Sequence, residues 1–341
     1  MKTELFDFLL PDELIAQTPA AARSQSRLLV YQRAADKVEH RRFSDIVEYF
    51  AEGDLLVLNS SRVIPARIFT VADGKNTGGS EILFIKNLGA GRFEAMVRPG
   101  KKFKVGRMHT LPGNYQVEVE SVLESGLRVL RVCDGHDPVA IFREHGQMPL
   151  PPYITSRESS PDRYQTVYSN IEGSVAAPTA GLHFDEEVFA ALGRRNVKVA
   201  TVVLHVGLGT FKPIEAENID EHRMHSEIFY ISEETANLFK ATRARGGKIW
   251  ACGTTTVRTL ESAIQADGTL LTGWQSTDCF IKPGYAFKAI DRFITNFHLP
   301  RSTLIVLVAA FCGRENVLKL YEEAVRQRYR FYSFGDSMVI I

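Results

Sequence analysis

The sequence predicts a mixed α/β protein interrupted by a small, barrel-like all-β insert. Three observations point there. Apolar runs of strand length alternate with capped amphipathic helices, glycine clusters break a β-rich stretch between residues 69 and 149, and Pro149, Pro151 and Pro152 close that stretch. Alternating strands and helices cover a sheet with helices, which is the α/β solution. Short, evenly broken strands read as an antiparallel barrel or sandwich. The expected organisation is a barrel-like α/β domain built from residues 1–68 and 150–341, with residues 69–149 inserted into it.

Taken in order, Ser44 is placed to cap a short helix carrying Ile46, Val47 and Phe50, which Gly53 stops. Asp54–Leu58 reads as a buried strand that runs into Asn59-Ser60-Ser61-Arg62. In the insert, strands are expected at Glu81–Lys86, Phe93–Arg98, Tyr115–Leu123 and Leu127–Cys133, separated by glycine-rich breakers. Asp137-Pro138 is a cap and first-position pair opening a helix that Gly146 ends. Beyond the prolines, Asp185 caps a helix through Leu192, and Val197–His205 is a strand. Ser232 caps a helix with Glu233 and Glu234 in its first turn and Arg243 and Arg245 in its last, matching the macrodipole. Lys248–Cys252 is a strand, with Thr254 or Thr255 as cap of the following helix. Phe293–Thr295 is a short strand, Ser302 caps a buried helix through Phe311, and the last helix aligns Val317, Tyr321, Ala324 and Val325.

Composition narrows the function. The chain has 341 residues, 45% of them hydrophobic and 24% charged, with a net charge of +1. That length accommodates two domains. The balance of charge gives no whole-molecule attraction to polyanions, so RNA contact must rest on local clusters. One is Arg92, Arg98, Lys101, Lys102, Lys104 and Arg107 in the insert; others are Lys240–Lys248 and Arg326–Arg330. A single such cluster is ordinarily a solvated face. Cys133, Cys252, Cys279 and Cys312 form no C-x-x-C pair and read as reduced thiols. The N-terminus lacks a signal-peptide pattern, and the apolar run Leu304–Cys312 is too short to cross a bilayer, so a cytoplasmic location is expected.

Four loops follow strands, where α/β proteins gather ligands. They are Asn59–Arg62, His205–Phe211, Gly253–Arg258 and Thr295–Pro300. Gly207 and Gly209 allow close backbone approach. Gly253 before three threonines offers free N–H groups and hydroxyls to a carboxylate, phosphate or ribose. A capped strand–helix turn is the plain alternative at each. The stretch Gly173–Phe184 is small, nearly uncharged and ends beside His183; it suits a ligand packing on backbone or a tight helix–sheet crossing. His222, His225 and Glu227 have the spacing H-x-x-H-x-E, not a zinc motif, so no metal is expected. His183, His205, His225 and His298 suit proton transfer near neutral pH. A dinucleotide G-x-G-x-x-G, a Walker A motif and G-x-S-x-G are all missing.

At these loops the sequence resembles the S-adenosylmethionine:tRNA ribosyltransferase-isomerase family of queuosine biosynthesis. The likeness is carried by LIAQTP from Leu14, GDLLVLNSSRVIPAR from Gly53, PLPPYI from Pro149 and RYQTVYS from Arg163. It continues through GSVAAPTAGLHF from Gly173, LHVGLGTFKP from Leu204, HRMHSE from His222 and CGTTTVRTLES from Cys252. FIKPGYAFKAID from Phe280, TNFHLPRSTL from Thr295 and YRFYSFGDSM from Tyr329 complete it. Cys252, Thr256 and Cys279 depart from the commoner residues, and the insert matches only loosely.

The resemblance implies a catalytic α/β domain whose donor is S-adenosylmethionine, consumed for its ribosyl carbons. The acceptor is an aminomethyl-deazaguanine at the wobble position of tRNA. Epoxyqueuosine forms, and adenine and methionine leave. It also implies a monomer with no cofactor and no metal. His183, His205, His225 and His298 are the candidate proton carriers, unranked. Asn59, Arg62, Thr179, Gly207, Gly209, Thr254, Thr255, Arg258 and Asn296 are the candidate substrate contacts, and Arg98, Lys101, Lys102 and Lys104 the candidate RNA contacts. Glu261 lies one turn from Arg258, so a helix ion pair is the simpler reading of that arginine. A glycosyl or phosphoribosyl transferase acting on a free nucleotide is the rival enzyme reading. A non-catalytic RNA-binding module is the third, disfavoured by the density of small-residue motifs.

Overall fold

The loops expected to carry chemistry leave one end of one sheet. Leu55–Asn59 is parallel to Lys198–Leu204 on one side and to Ile249–Cys252 on the other, and Arg292–Asn296 is parallel to Ile249–Cys252. The carboxyl ends of these neighbouring strands therefore share an edge. Leu55 to Leu58 are fully buried, as expected of a strand covered on both faces.

The computed structural model describes residues 1–71, 79–149, 153–154, 161–207 and 213–341. Among the described residues the large sheet has nine strands. Their order is Gly273–Thr277, Glu227–Ile231, Lys198–Leu204, Leu55–Asn59, Ile249–Cys252, Arg292–Asn296, Ser337–Ile340, Arg27–Gln32 and Lys37–Arg42. The described α-helices are α1 (Pro138–His145), α2 (Glu186–Arg194), α3 (Glu233–Ala244), α4 (Thr254–Ala263), α5 (Thr303–Cys312) and α6 (Arg314–Arg326). Contacts divide the chain into two compact units. One comprises Met1–Arg62, Pro151–Ile171 and Ala177–Ile341, the other Val63–Leu150 and Glu172–Ala176.

In the larger unit the expected caps are made. Asp185 accepts from Val188 N at 3.0 Å, Ser232 from Thr235 N at 3.1 Å and Ser302 from Ile305 N at 3.3 Å. The segment after Ser44 differs: Phe43–Tyr49 is a 3₁₀ helix. Ser44 lies inside it, and Asp45 closes its start by accepting from Arg42 N at 3.0 Å. Trp250 stacks on Phe50 at 3.8 Å between centroids and donates to Asp54 at 2.8 Å, tying the sheet to that segment.

The smaller unit carries an antiparallel sheet of six strands among the described residues. Their order is Arg67–Phe69, Glu81–Gly89, Arg92–Arg98, Arg128–Val132, Gln116–Val122 and Met108–Thr110. Phe93, Ala95 and Val97 alternate inward, and Phe84, Phe93 and Phe142 of α1 form an aromatic core. Asp137 caps α1 by accepting from Val139 N at 3.1 Å.

Candidate active site

A cleft opens at the shared carboxyl edge of the central strands. It takes in about 670 Å³ of space, its solvent mouth included, and is lined by Thr179, Thr254, Thr255, Asn296, His298 and Tyr332 among others. The adjoining small-residue segment serves packing as well. A Cβ on Gly181 would come within 1.9 Å of the Tyr168 hydroxyl oxygen, while Ala177 to Ala180 face the cleft.

Helix α4 starts differently from expectation. Gly253, at φ +87°, is its cap residue and has no side chain to accept from the first turn. The threonines are engaged elsewhere. Thr255 Oγ1 accepts from Asn59 Nδ2 at 3.2 Å, and Thr256 Oγ1 donates to Cys252 O at 2.6 Å. The first-turn N–H groups, which have no partner inside a helix, are thus left at the cleft. Ser302 and Leu304 at the start of α5 line the same cleft, but Ser302 caps that helix, so the open start of α4 is the end that favours an anion. Asn59 is fully occupied: Nδ2 also donates to Leu204 O at 3.0 Å, and Oδ1 accepts from Ser61 N and Leu204 N at 3.0 and 3.1 Å. Its influence on a ligand runs through Thr255.

The histidines occupy four different environments. His183 is buried, with Nδ1 at 2.7 Å from Ser26 Oγ and Nε2 at 3.1 Å from Asn296 Nδ2, and its ring stacks on Phe43. Burial, reinforced by Arg330 and Arg23, lowers its pKa to about 3. His298 is buried in the cleft wall, Nε2 at 2.8 Å from Thr295 Oγ1, and burial lowers its pKa to about 3. Both are neutral imidazoles at neutral pH. His205 is partly buried and stacks on Trp274 at 5.7 Å; burial lowers its pKa, and its Nδ1 has no hydrogen-bond partner among the described residues. His225 lies exposed on the loop before Glu227–Ile231.

Arg258 is not paired with Glu261. Its guanidinium meets the Glu227 carboxylate, both side chains being at most 6% exposed, and its Nε donates to Cys279 O at 3.1 Å. Glu261 instead accepts from the backbone N–H groups of Lys288 and Ala289, each at 3.0 Å. Gly207 N donates to Glu227 Oε1 at 3.0 Å, so this carboxylate links α4 to the glycine loop. Arg258 Nη2 keeps no partner in the wall of a second hollow that shares Thr254, Thr255 and Leu304 with the cleft. Gly209 lies outside the described residues. Arg62 is exposed, 3.4 Å from Ser169 Oγ. In the smaller unit, Arg98, Lys101, Lys102 and Lys104 are exposed. In the same sheet, Arg92 and Arg131 are paired with Glu118 and Glu120.

Sequence reasoning passed over Ser26 and Tyr332. Ser26 lies in no distinctive pattern, whereas Tyr332 falls within the YRFYSFGDSM stretch. Tyr332 adopts φ +72°, a region that bulky residues rarely enter. Among the described residues no three His, Cys, Asp or Glu side chains gather as a metal site.

The fold and cleft define a mixed α/β protein with an anion-favouring pocket at the carboxyl edge of its sheet. The family model described as "Queuosine biosynthesis protein" matches residues 3–340, and the chain belongs to that family. It is 48% identical to the S-adenosylmethionine:tRNA ribosyltransferase-isomerase of Clostridioides difficile over 100% of both chains. It is 49% identical to the protein of the same name from Acetivibrio thermocellus, again over 100% of both. Among solved structures it resembles the S-adenosylmethionine tRNA ribosyltransferase of Thermotoga maritima, with TM-score 0.58 and 39% identity, covering 99% of this chain and 100% of that one.

Proposed function

We propose that the chain transfers the ribosyl moiety of S-adenosylmethionine to the aminomethyl-deazaguanine wobble base of tRNA and isomerises it to epoxyqueuosine, releasing adenine and methionine. The observation that carries this reading is full-length identity near 50% to relatives bearing that name, joined to a cleft whose open helix start suits the carboxylate of an amino-acid end. The sulfonium acidifies the adjacent ribose carbon. A base takes that proton, the bond from the ribosyl group to adenine breaks and adenine departs, and the neutral amine of the acceptor attacks and gives up a proton; the ribosyl carbon–sulfur bond then breaks, and methionine leaves with its sulfur. His205 and His225 support the role of proton carrier best. His205 keeps Nδ1 free, and His225 is exposed. His183 and His298 fit the neutral hydrogen-bonding scaffold of the site.

The first turn of α4, with Thr254 and Thr255, suits the methionine carboxylate. A barrel-like α/β body of residues 1–68 and 150–341 carries the chemistry, and the insert at 69–149 meets tRNA through Arg98, Lys101, Lys102 and Lys104. The protein works as a cytoplasmic monomer without resident metal or cofactor, S-adenosylmethionine being a consumed co-substrate. The test is product analysis. Adenine and methionine should appear in step with a ring-bearing base, and only with tRNA carrying the aminomethyl group. A methylated nucleoside with S-adenosylhomocysteine would overturn the assignment.

A further inference from the structure

Asn296 holds a buried acceptor that no group among the described residues satisfies. The residue is 1% exposed, lines the cleft, and its Oδ1 has no hydrogen-bond partner. Leaving such an atom unpaired is costly, and folded proteins rarely do so without a ligand or water to meet it.

The orientation of this amide is fixed by a chain of hydrogen bonds. Ser26 Oγ is 3.1 Å from Arg23 O, a pure acceptor, so the serine hydroxyl donates there. Ser26 Oγ must then accept from His183 Nδ1, 2.7 Å away. A neutral imidazole has one N–H, so its Nε2 accepts from Asn296 Nδ2 at 3.1 Å. The other amide hydrogen goes to Tyr332 O at 3.2 Å, a carbonyl positioned by the left-handed backbone of that tyrosine. Rotating the amide would set two acceptors against each other at both contacts. Asn296 therefore keeps Oδ1 as its one unpaired amide atom, and any partner it takes must be a donor.

The surroundings select the donor. Gly253 N donates to Ile294 O at 2.8 Å, which places the open start of α4 beside the strand that carries Asn296. An anion-favouring helix end next to a lone acceptor matches an α-amino acid, whose carboxylate and ammonium share one carbon. Of the donor groups on S-adenosylmethionine, only the ammonium is attached to the carbon bearing the anion. We propose that Asn296 Oδ1 accepts the α-ammonium of the donor's methionine end, and that His183 is the positioning residue that fixes this acceptor. The inference rests on the reading that S-adenosylmethionine is the substrate of this cleft.

The experiment compares S-adenosylmethionine with its analogue lacking the α-amino group, using the full chain and tRNA bearing the aminomethyl base. Titration calorimetry of both donors runs alongside, so an inactive variant still reports. The wild-type chain should prefer the natural donor at least roughly tenfold, the scale of a hydrogen bond to a charged group. Asn296→Ala should bring that preference close to one. His183→Leu should do the same, whereas His183→Gln, which restores an acceptor for the amide, should recover most of it. A mere structural role for His183 would weaken both donors alike and leave the ratio in place. An unchanged ratio in Asn296→Ala overturns the inference. So does a variant that instead loses discrimination against an analogue lacking the adenine amine. Failure of the wild-type chain to consume S-adenosylmethionine would remove the functional reading itself, a result distinct from an unchanged ratio.

Discussion

Arg258 on α4 and Glu227 at the start of its strand form an ion pair in which both side chains are at most 6% exposed. The carboxylate also takes the N–H of Gly207 at 3.0 Å, so one residue neutralises a buried cation and holds the glycine loop. Removing one partner of a buried pair strands the other charge away from water, which typically costs about 3–5 kcal/mol. Glu227→Gln keeps the shape but loses the charge. It should lower unfolding free energy by roughly that amount, read as a shift in denaturation midpoint at unchanged slope. A variant as stable as wild type would show that Arg258 finds solvent or another acceptor.

Gly253 gives a second prediction. Its φ of +87° is a conformation that a side chain enters only with strain, though a Cβ there would meet nothing closer than Ala180 Cβ at 3.6 Å. The penalty of Gly253→Ala is therefore conformational, on the order of 1–3 kcal/mol. It should fall on the turn that opens α4, raising KM for the donor more than it lowers kcat. A variant with unaltered KM and stability would mean that this backbone position plays no part in presenting the helix start.

These features were unequally legible in the sequence. Leu55–Asn59 and Ile249–Cys252 announced themselves because a strand buried on both faces reads as an unbroken apolar run. The caps Asp185, Ser232 and Ser302 were legible because a cap acts within three residues. Lys37–Arg42 was not: it is an edge strand of KVEHRR, exposed along most of its length, so it shows neither alternation nor an apolar run. Site loops could be named because each follows a strand, but their partners could not. The Arg258–Glu227 pair spans 31 residues of sequence, and the Ser26–His183 contact 157. Local spacing favoured Glu261 for Arg258, and only tertiary packing supplied the nearer carboxylate.

The buried histidines set a pH dependence. His183 and His298 have pKa values lowered to about 3 by burial, against about 6.5 in an unfolded chain. Between those values the unfolded chain binds more protons than the folded one, so acidification favours unfolding. The stabilising contribution is complete above about pH 6.5 and is lost progressively as pH falls toward 3. From about pH 6.5 to about pH 5 the unfolded chain's histidines take up protons that the buried ones do not, while Glu261, whose pKa burial raises, acts in the opposite sense. The melting temperature should fall over that interval, and His298→Gln should flatten the fall. An identical slope in the variant would indicate that His298 is protonated in the folded protein.

The exposed cations of the smaller unit make the last prediction. Lys101, Lys102 and Lys104 flank Phe103, which is buried and stacks on His109 at 4.0 Å between centroids, so the lysines are held outward by an anchored turn. Arg92 and Arg131 of the same sheet are already neutralised by Glu118 and Glu120 and offer little to a polyanion. If each lysine meets one phosphate, replacing all three by Gln should weaken tRNA binding and lower the slope of log affinity against log salt by roughly 2–3. The turnover number at saturating tRNA should be unchanged, because these residues would contribute to docking and not to the cleft. Binding measured from low to moderate salt decides the matter. A slope equal to that of the wild-type chain would reduce the cluster to a solvated face and move the search for phosphate contacts to Arg326, Arg328 and Arg330.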